Sequence, residues 1–433
     1  MTFLTTLCVC LRITKMVALI GYEYFKYSLL KYSKKTVIRL DLIRNISKRL
    51  EYENIVYLKI FQALCFNKEL LYSNEQDFLL QYTDNVPYSN DDINYDLLDK
   101  LSDDYSITLN NIIPINSGII GLVFDGYDCC NNKIIVKMLK KNILKKFTNV
   151  FDELLYVSYM CNYIPYIKYM KITKLLLDNK DILFNQMNFI KEVNSIEIFT
   201  KKYKNNKEYR FPKVYREITE KYNELLVMEN INGLKFKDID YLDESIKEEF
   251  AYLLNKFNIL GILYHSVIHC DLHCGNLFFY INNDTKAPKY MLGLIDFGIC
   301  TFPNKESQNA YYIFFNNMFH NRDYSNVEYV ISTFIEEKNI LNSFNNTIKQ
   351  KLCNETIKCF ELYAKQEITN QLLINILGEL FYKYDMNFTQ EFNRIILSLH
   401  TTHSFIKRMS KDENATMRKV IKELNHFNEL LKI

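Results

Sequence analysis

The sequence predicts an α+β fold of two lobes, a small β-rich N-lobe and a large helical C-lobe, behind a helical N-terminal extension. Three observations predict this arrangement. A glycine-containing segment, residues 116–126, runs into a branched apolar stretch that ends at Lys137, as expected of a strand pair. A polar loop at residues 269–276 leads into two more short apolar runs, with Asn282-Asn283-Asp284 as their turn. From residue 305 onward, apolar residues recur at helical spacing.

Length and composition limit the class of protein to which this chain can belong. The 433 residues can bury a large core, and 48% hydrophobic with 24% charged residues are globular values. A formal net charge of +3 gives no reason to expect nucleic acid as a partner. The eleven cysteines are an odd number without a C-x-x-C pair, which favours an intracellular, reducing compartment over a disulfide framework.

Residues 1–104 are predicted to form the helical extension. Apolar residues recur along it at helical spacing, for example Leu40, Ile43 and Leu50. The first 25 residues are mostly apolar, but basic residues interrupt them, so a membrane-spanning segment is not expected. We expect an amphipathic helix that packs on the protein, with contact to a membrane surface as the alternative.

Residues 105–230 are predicted to form the N-lobe and to bind a nucleotide. Gly118, Gly121 and Val123 match three positions of the phosphate-binding loop G-x-G-x-x-G-x-V. Glycines let backbone N–H groups approach a phosphate closely. Lys137, at the end of the next strand, is the candidate for contacting the α- and β-phosphates of ATP.

Three further positions belong to the predicted nucleotide site. Glu229 ends an apolar strand and Ile231 follows it, at the connection between the lobes, where backbone groups would hydrogen-bond adenine. Glu192, in a predicted helix, is the candidate carboxylate for pairing with Lys137. The alternative, a glutamate on an exposed helix face, stays open because Glu197 lies close by.

Residues 231–433 are predicted to form the C-lobe and to carry the chemistry. Asp271 and Asn276 lie five residues apart, as in the kinase pattern H-R-D-x-x-x-x-N, and Asp296 opens a D-F-G triplet. Phosphoryl transfer needs a carboxylate at the attacking hydroxyl and oxygen ligands that hold Mg²⁺ on the phosphates. We therefore predict Asp271 as the catalytic carboxylate and Asn276 with Asp296 as the Mg²⁺ ligands.

The order of these motifs resembles the UbiB/ADCK (aarF-domain) family of atypical kinase-like proteins. The family's hallmark K-x-G-Q lies upstream of the lobes, where this chain has Lys59 and Gln62 in K-I-F-Q. The family's catalytic loop, H-x-D-x-H-x-G-N, matches residues 269–276. The resemblance implies a kinase-like fold that binds ATP with Mg²⁺, with Lys59 and Gln62 reaching into the active site and Lys137 and Glu192 forming its ion pair.

Family members support isoprenoid-quinone biosynthesis as ATPases or unorthodox kinases, often at membranes. The resemblance therefore implies a Mg²⁺-dependent ATPase or a small-molecule or lipid kinase, with a lipid or quinone-like partner and membrane association. Two departures bear on this implication. Phe61 replaces the glycine of K-x-G-Q, and the family's E-x-D motif falls on Gln186 and Asn188.

Three alternatives stay open on the sequence. The loss of acidic residues at Gln186 and Asn188 favours a nucleotide-binding scaffold without turnover. The glycine loop is compatible with a protein-substrate kinase, although no A-P-E segment that would dock a peptide is present. The pattern H-C-x-x-H-C at His269, Cys270, His273 and Cys274 is rich in zinc ligands, although it coincides with the catalytic loop.

Overall fold

A computed structural model describes much of the chain. The described residues are 14–15, 18–19, 21–30, 39–54, 56–57, 78, 86–161, 172–284, 286–316, 323–365, 367, 370–412, 415–420 and 422–423. Lys59 and Gln62 lie outside the described residues, so their role in the site stays a prediction.

Short strands and longer helices follow one another along the described part of the chain. The strands are β1 (Thr108–Leu109), β2 (Asn116–Ser117), β3 (Gly121–Tyr127), β4 (Lys133–Leu139), β5 (Tyr209–Arg210), β6 (Leu225–Glu229), β7 (Ile268–His269), β8 (Leu277–Ile281), β9 (Tyr290–Leu294) and β10 (Cys300–Thr301). The helices are α1 (Arg39–Glu53), α2 (Tyr95–Tyr105), α3 (Ile143–Cys161), α4 (Ile172–Asn185), α5 (Phe189–Lys202), α6 (Arg216–Lys221), α7 (Phe236–Ile239), α8 (Glu244–Leu260), α9 (Lys305–Asn316), α10 (Val327–Phe334), α11 (Lys338–Ser343), α12 (Asn346–Ala364), α13 (Asn370–Tyr382) and α14 (Gln390–Met409).

The chain divides into two compact units. The first unit comprises Met1–Ile190 and Val214–Asn230, and the second comprises Lys191–Lys213 and Ile231–Ile433. The larger sheet lies in the first unit, and the long helices after residue 231 lie in the second. The predicted α+β class is confirmed, whereas the three-part division at residues 104 and 230 stays a prediction.

The first unit is built on a five-stranded antiparallel sheet. Its order is β1–β3–β4–β6, with β2 also paired to β3. One face of the sheet packs on α2 and α6. The buried side chains of this core include Leu97, Leu98, Leu101, Leu122, Phe124, Ile134, Val136, Met138 and Ile218. Because side chains alternate along a strand, the residues between them face the other side of the sheet.

The close approach of β1 to β3 depends on Gly126. A Cβ atom at this position would clash with the backbone carbonyl oxygen of Thr108. We expect Gly126→Ala to lower the free energy of unfolding in urea by about 1–3 kcal/mol, because the neighbouring strand would have to shift. Gly21→Ala is the control, since a Cβ there would meet nothing within 4 Å. Equal losses in the two variants would contradict the packing argument.

The described parts of the extension are helical and are anchored within the first unit. Residues 21–30 and α1 are helices, and Arg49 Nε donates to Glu23 at 2.6 Å. The hydroxyl of Tyr57 donates to the buried carboxylate of Glu153 in α3 at 2.9 Å. Among the described residues, no helix combines the length and apolar character that crossing a bilayer requires. Contact with a membrane surface stays a prediction.

The second unit contains two small sheets among its helices. Strands β8 and β9 form the predicted antiparallel ribbon, β5 runs parallel to β9, and β7 pairs with β10. The predicted turn residues, 282–284, lie in the connection between these two strands, which is longer than three residues because β8 ends at Ile281 and β9 begins at Tyr290. Asn282 closes this connection: its Nδ2 donates to the carbonyl of Pro288 at 2.7 Å.

Candidate active site

Gly121, Val123 and Lys137 lie on one face of the five-stranded sheet. Val123 stands directly opposite Lys137 in the register of β3 and β4. Their neighbours along both strands are buried in the core on the other face, so alternation places Val123 and Lys137 away from that core. The first unit therefore presents a cation beside the predicted phosphate loop.

The loop between β2 and β3 is held by backbone hydrogen bonds. Gly118 N donates to Gly121 O at 2.9 Å, and Lys140 N donates to Ile120 O at 2.9 Å. A Cβ atom at Gly121 would lie 3.0 Å from the carbonyl oxygen of Met138. Glycine at this position thus lets the loop pack closely on β4.

The predicted adenine-binding segment lies where the chain passes from the first unit to the second. Glu229 ends β6 opposite Ile134, and Asn230 N donates to Lys133 O at 3.0 Å. Ile231 is buried and belongs to the second unit. A joint contact of Glu229 and Ile231 with adenine stays a prediction.

The loop at residues 269–276 is closed by its own polar groups. Asn276 Nδ2 donates to the carbonyl oxygen of Asp271 at 2.9 Å, and His273 N donates to the same oxygen at 3.0 Å. Asp271 N donates to Nδ1 of His269 at 3.3 Å. Because its nitrogen bonds to that carbonyl, Asn276 presents Oδ1 as the atom that can bind a cation.

The ribbon brings Asp296 to Asn276. Leu277 and Leu294 are opposite each other in register, and Ile295 N donates to Asn276 O at 3.0 Å. Asp296 has φ 64°, a left-handed conformation that is uncommon outside glycine and that Asp tolerates better than most residues. Backbone strain of this kind clusters at functional sites. The amide and carboxylate oxygens of Asn276 and Asp296 form a donor set that suits a hard cation such as Mg²⁺.

His269 is close to both aspartates. It is 1% exposed, and its ring centroid lies 4.9 Å from that of Phe297. Burial lowers the pKa of His269, and the carboxylates of Asp271 and Asp296 oppose that shift without reversing it. The second unit therefore brings Asp271, Asn276 and Asp296 together around one buried, neutral imidazole.

Glu192 belongs to the same cluster. It is 4% exposed, and its Oε1 accepts a hydrogen bond from Phe297 N at 3.3 Å. Glu197, on the same helix, is exposed. The alternative of an exposed helix-face glutamate is therefore wrong for Glu192. Lys137 lies in the first unit, and its pairing with Glu192 stays a prediction.

The zinc alternative does not fit the side chains of the catalytic loop. Within the part of the chain that the structure describes, no three His, Cys, Asp or Glu side chains gather as a metal site. Cys270 is buried, and its Sγ donates to the carbonyl oxygen of Ile268 at 3.6 Å. Nδ1 of His273 accepts a hydrogen bond from Gly275 N at 3.1 Å, and Cys274 is exposed.

One positioning contact was not indicated by the sequence. Ser398 in α14 is buried, and its hydroxyl donates to the carbonyl oxygen of His269 at 2.6 Å. The two residues are 129 positions apart, and no motif surrounds Ser398. A helix far along the chain thus supports the loop at residues 269–276.

Ser398→Ala should destabilise the second unit, because it leaves a buried carbonyl without this donor. We expect a loss of about 1–3 kcal/mol in the free energy of unfolding, measured by urea denaturation. The control is Ser343→Ala, which removes an exposed helical serine whose hydroxyl donates to Ile340 O. If Ser398→Ala were no less stable than Ser343→Ala, the hydrogen bond to His269 would not support the loop.

A family comparison identifies the domain that carries this site. The model of the ABC1 atypical kinase-like domain matches residues 86–331, more than half of the 433 residues. The chain belongs to the ABC1 atypical kinase-like family. The match confirms the predicted family and the predicted kinase-like fold class, and it supports a kinase-like function.

Two curated relatives are similar to parts of the chain. The probable protein kinase UbiB of Blochmanniella pennsylvanica is 26% identical over 222 residues, which are 50% of this chain and 39% of the relative. The ABC1 family protein MCP2 of Saccharomyces cerevisiae is 27% identical over 150 residues, 33% of this chain and 26% of the relative. The chain thus spans less than half the length of either relative.

A solved structure is also similar. The complex of Rv3197 with erythromycin from Mycobacterium tuberculosis matches with 14% identity and a TM-score of 0.41, covering 79% of this chain and 90% of that one.

Proposed function

We propose that this family member binds ATP with Mg²⁺ and transfers the γ-phosphoryl group to water or to a small molecule. The proposal depends on the cluster of Asp271, Asn276 and Asp296 around His269 in the second unit. This cluster supplies one carboxylate for the attacking hydroxyl and oxygen ligands for a hard cation. Bound Mg²⁺ would neutralise charge on the phosphates.

Each residue has a role that follows from its chemistry. Asp271 would accept the proton of the attacking hydroxyl, and Asn276 with Asp296 would hold the cation. Lys137 would bind phosphate oxygens from the sheet face that it shares with the glycine loop. Glu192, which accepts a hydrogen bond from the residue after Asp296, would fix the orientation of that segment.

Phosphate release from ATP by the purified protein tests the proposal. We expect release that depends on Mg²⁺ and stops when EDTA is added. Liposomes and quinone-like phenols, added separately, test the predicted lipid or quinone-like acceptor, since a true acceptor becomes phosphorylated or accelerates release. A protein that neither binds Mg-ATP nor releases phosphate would contradict the proposal.

Lys137→Ala should weaken Mg-ATP binding by roughly 10- to 100-fold, because a hydrogen bond to a charged group contributes about 1.5–3 kcal/mol. The measurement is isothermal titration with a non-hydrolysable ATP analogue and Mg²⁺. Lys133→Ala is the matched control, since Lys133 lies on the same strand, on the same face, and is exposed. Equal affinities for Mg-ATP in the two variants would contradict the prediction that Lys137 binds the nucleotide.

A nucleotide-binding scaffold without turnover is the second candidate. Gln186 and Asn188 stand where the resemblance places an acidic motif, and they form the turn between α4 and α5, with Asn188 exposed. Mg-ATP binding with phosphate release no higher than in Asp271→Asn would select the scaffold.

A further inference from the structure

We propose that Cys129 and Cys130 form a two-thiolate site for a thiophilic divalent metal ion of the zinc and cadmium class. Both residues lie in the turn that joins β3 to β4, and both are exposed. Their sulfur atoms are 3.9 Å apart, and neither forms a disulfide. The pair lies in the first unit, apart from the acidic cluster of the second.

The separation of the sulfur atoms matches a chelate. With Zn–S bonds of about 2.3 Å in a tetrahedral site, two thiolates on one ion stand about 3.8 Å apart. The observed 3.9 Å therefore lets both sulfur atoms bind one ion without a change in the backbone. A chelate that is already in its bound geometry loses little conformational freedom on binding.

Asp128 holds the turn in this geometry. Its carboxylate accepts hydrogen bonds from Cys130 N at 2.9 Å, Asn132 N at 2.8 Å, Asn132 Nδ2 at 2.9 Å and the hydroxyl of Tyr215 at 2.7 Å. Asn131 completes the turn with φ 63°, a left-handed conformation that Asn tolerates. The carboxylate of Asp128 therefore adjoins the two thiols and is held in place by four hydrogen bonds.

The chemistry of the pair selects the class of ion. Thiolates are soft ligands that suit zinc-like and heavier ions, whereas Mg²⁺ prefers oxygen. Binding replaces two S–H bonds by two metal–sulfur bonds and releases two protons, so affinity rises with pH. Among the described residues, no third His, Cys, Asp or Glu completes the site, so water or an external ligand fills the remaining positions.

Cadmium titration of the full chain under a phosphine reductant tests this site. Thiolate-to-cadmium charge transfer absorbs in the ultraviolet and reports sulfur ligation directly. We expect the Cys129→Ser, Cys130→Ser double variant to bind one equivalent less Cd²⁺ than the wild type. Cys274→Ser removes a single exposed thiol elsewhere and should retain that equivalent.

The single variants distinguish a chelate from two separate thiols. Loss of either thiol should weaken binding by more than the roughly 10–100-fold that altering an outer-shell partner costs, because one thiolate cannot chelate. Asp128→Ala should weaken it less than loss of a thiol, since both ligands remain. An unchanged cadmium equivalent in the double variant, or equal affinities in wild type and single variants, would overturn the proposal. The readout needs no nucleotide, so it is independent of the proposed function.

Discussion

Asp296→Asn is expected to abolish the Mg²⁺-dependent gain in thermal stability that ATP gives the wild-type protein. A carboxylate binds a hard cation far more strongly than a neutral amide, and the substitution leaves Asn276 as the other member of the predicted pair. We expect Mg-ATP affinity to fall by about 100-fold or more, beyond the roughly 10–100-fold cost of altering an outer-shell partner. The backbone should not change, because Asn tolerates the left-handed conformation of Asp296, φ 64°.

Asp385→Asn is the matched control for this experiment. Asp385 also has a left-handed backbone, φ 58°, and it is exposed in the connection between α13 and α14. Both variants change Asp to Asn in the same region of backbone space, so a difference between them reports the cation site and not strain. Wild-type Mg-ATP stabilisation in Asp296→Asn would refute the assignment of the metal ligands.

The closed shape of the loop at residues 269–276 could be predicted because its geometry is local. Asp271 and Asn276 are five residues apart, and the loop is closed by a hydrogen bond between those two residues. A fixed spacing of polar residues therefore indicates that the loop closes on itself. The position of Asp296 follows from the pairing of β8 with β9, which brings the end of β9 next to Asn276.

For Glu192, the sequence alone does not decide whether the side chain is buried or exposed. Both Glu192 and Glu197 lie in a helix, and helical periodicity alone does not say which one is buried. The structure distinguishes them, because Glu192 is 4% exposed and bonded to Phe297 N, 105 positions away. Buried carboxylates depend on such distant partners, and a local pattern does not contain them.

Contacts between segments that are far apart in the chain could not be predicted from the sequence, for the same reason. The hydrogen bonds from Ser398 to His269 and from Tyr57 to Glu153 join residues 129 and 96 positions apart. The connection between β8 and β9 differs from the prediction only in its length. Asn, Asn and Asp give a strong turn signal wherever they occur. That signal locates the connection, and in this chain Asn282 bonds across it to Pro288.

Asp271→Asn is expected to lower the rate of phosphate release by about 10²–10⁴-fold, the usual contribution of a positioned general base. The hydrogen bonds that close the loop at Asp271 use its backbone N and O atoms, so the substitution removes the carboxylate and leaves the loop intact. Mg-ATP affinity should therefore stay close to that of the wild type, in contrast to Asp296→Asn. Single-turnover phosphate release and equilibrium titration on the same preparation measure the two quantities.

Comparing Asp296→Asn with Asp271→Asn distinguishes cation binding from base catalysis. Loss of binding in Asp296→Asn with retained binding in Asp271→Asn would place cation binding and base catalysis on different side chains. If wild type and Asp271→Asn release phosphate equally slowly while both bind Mg-ATP, the second unit holds a nucleotide without turning it over. If Asp271→Asn instead loses Mg-ATP binding together with release, its carboxylate is a cation ligand and not the base. The buried, neutral His269 is compatible with each outcome, because it accepts a hydrogen bond from Asp271 N and does not need the side-chain charge.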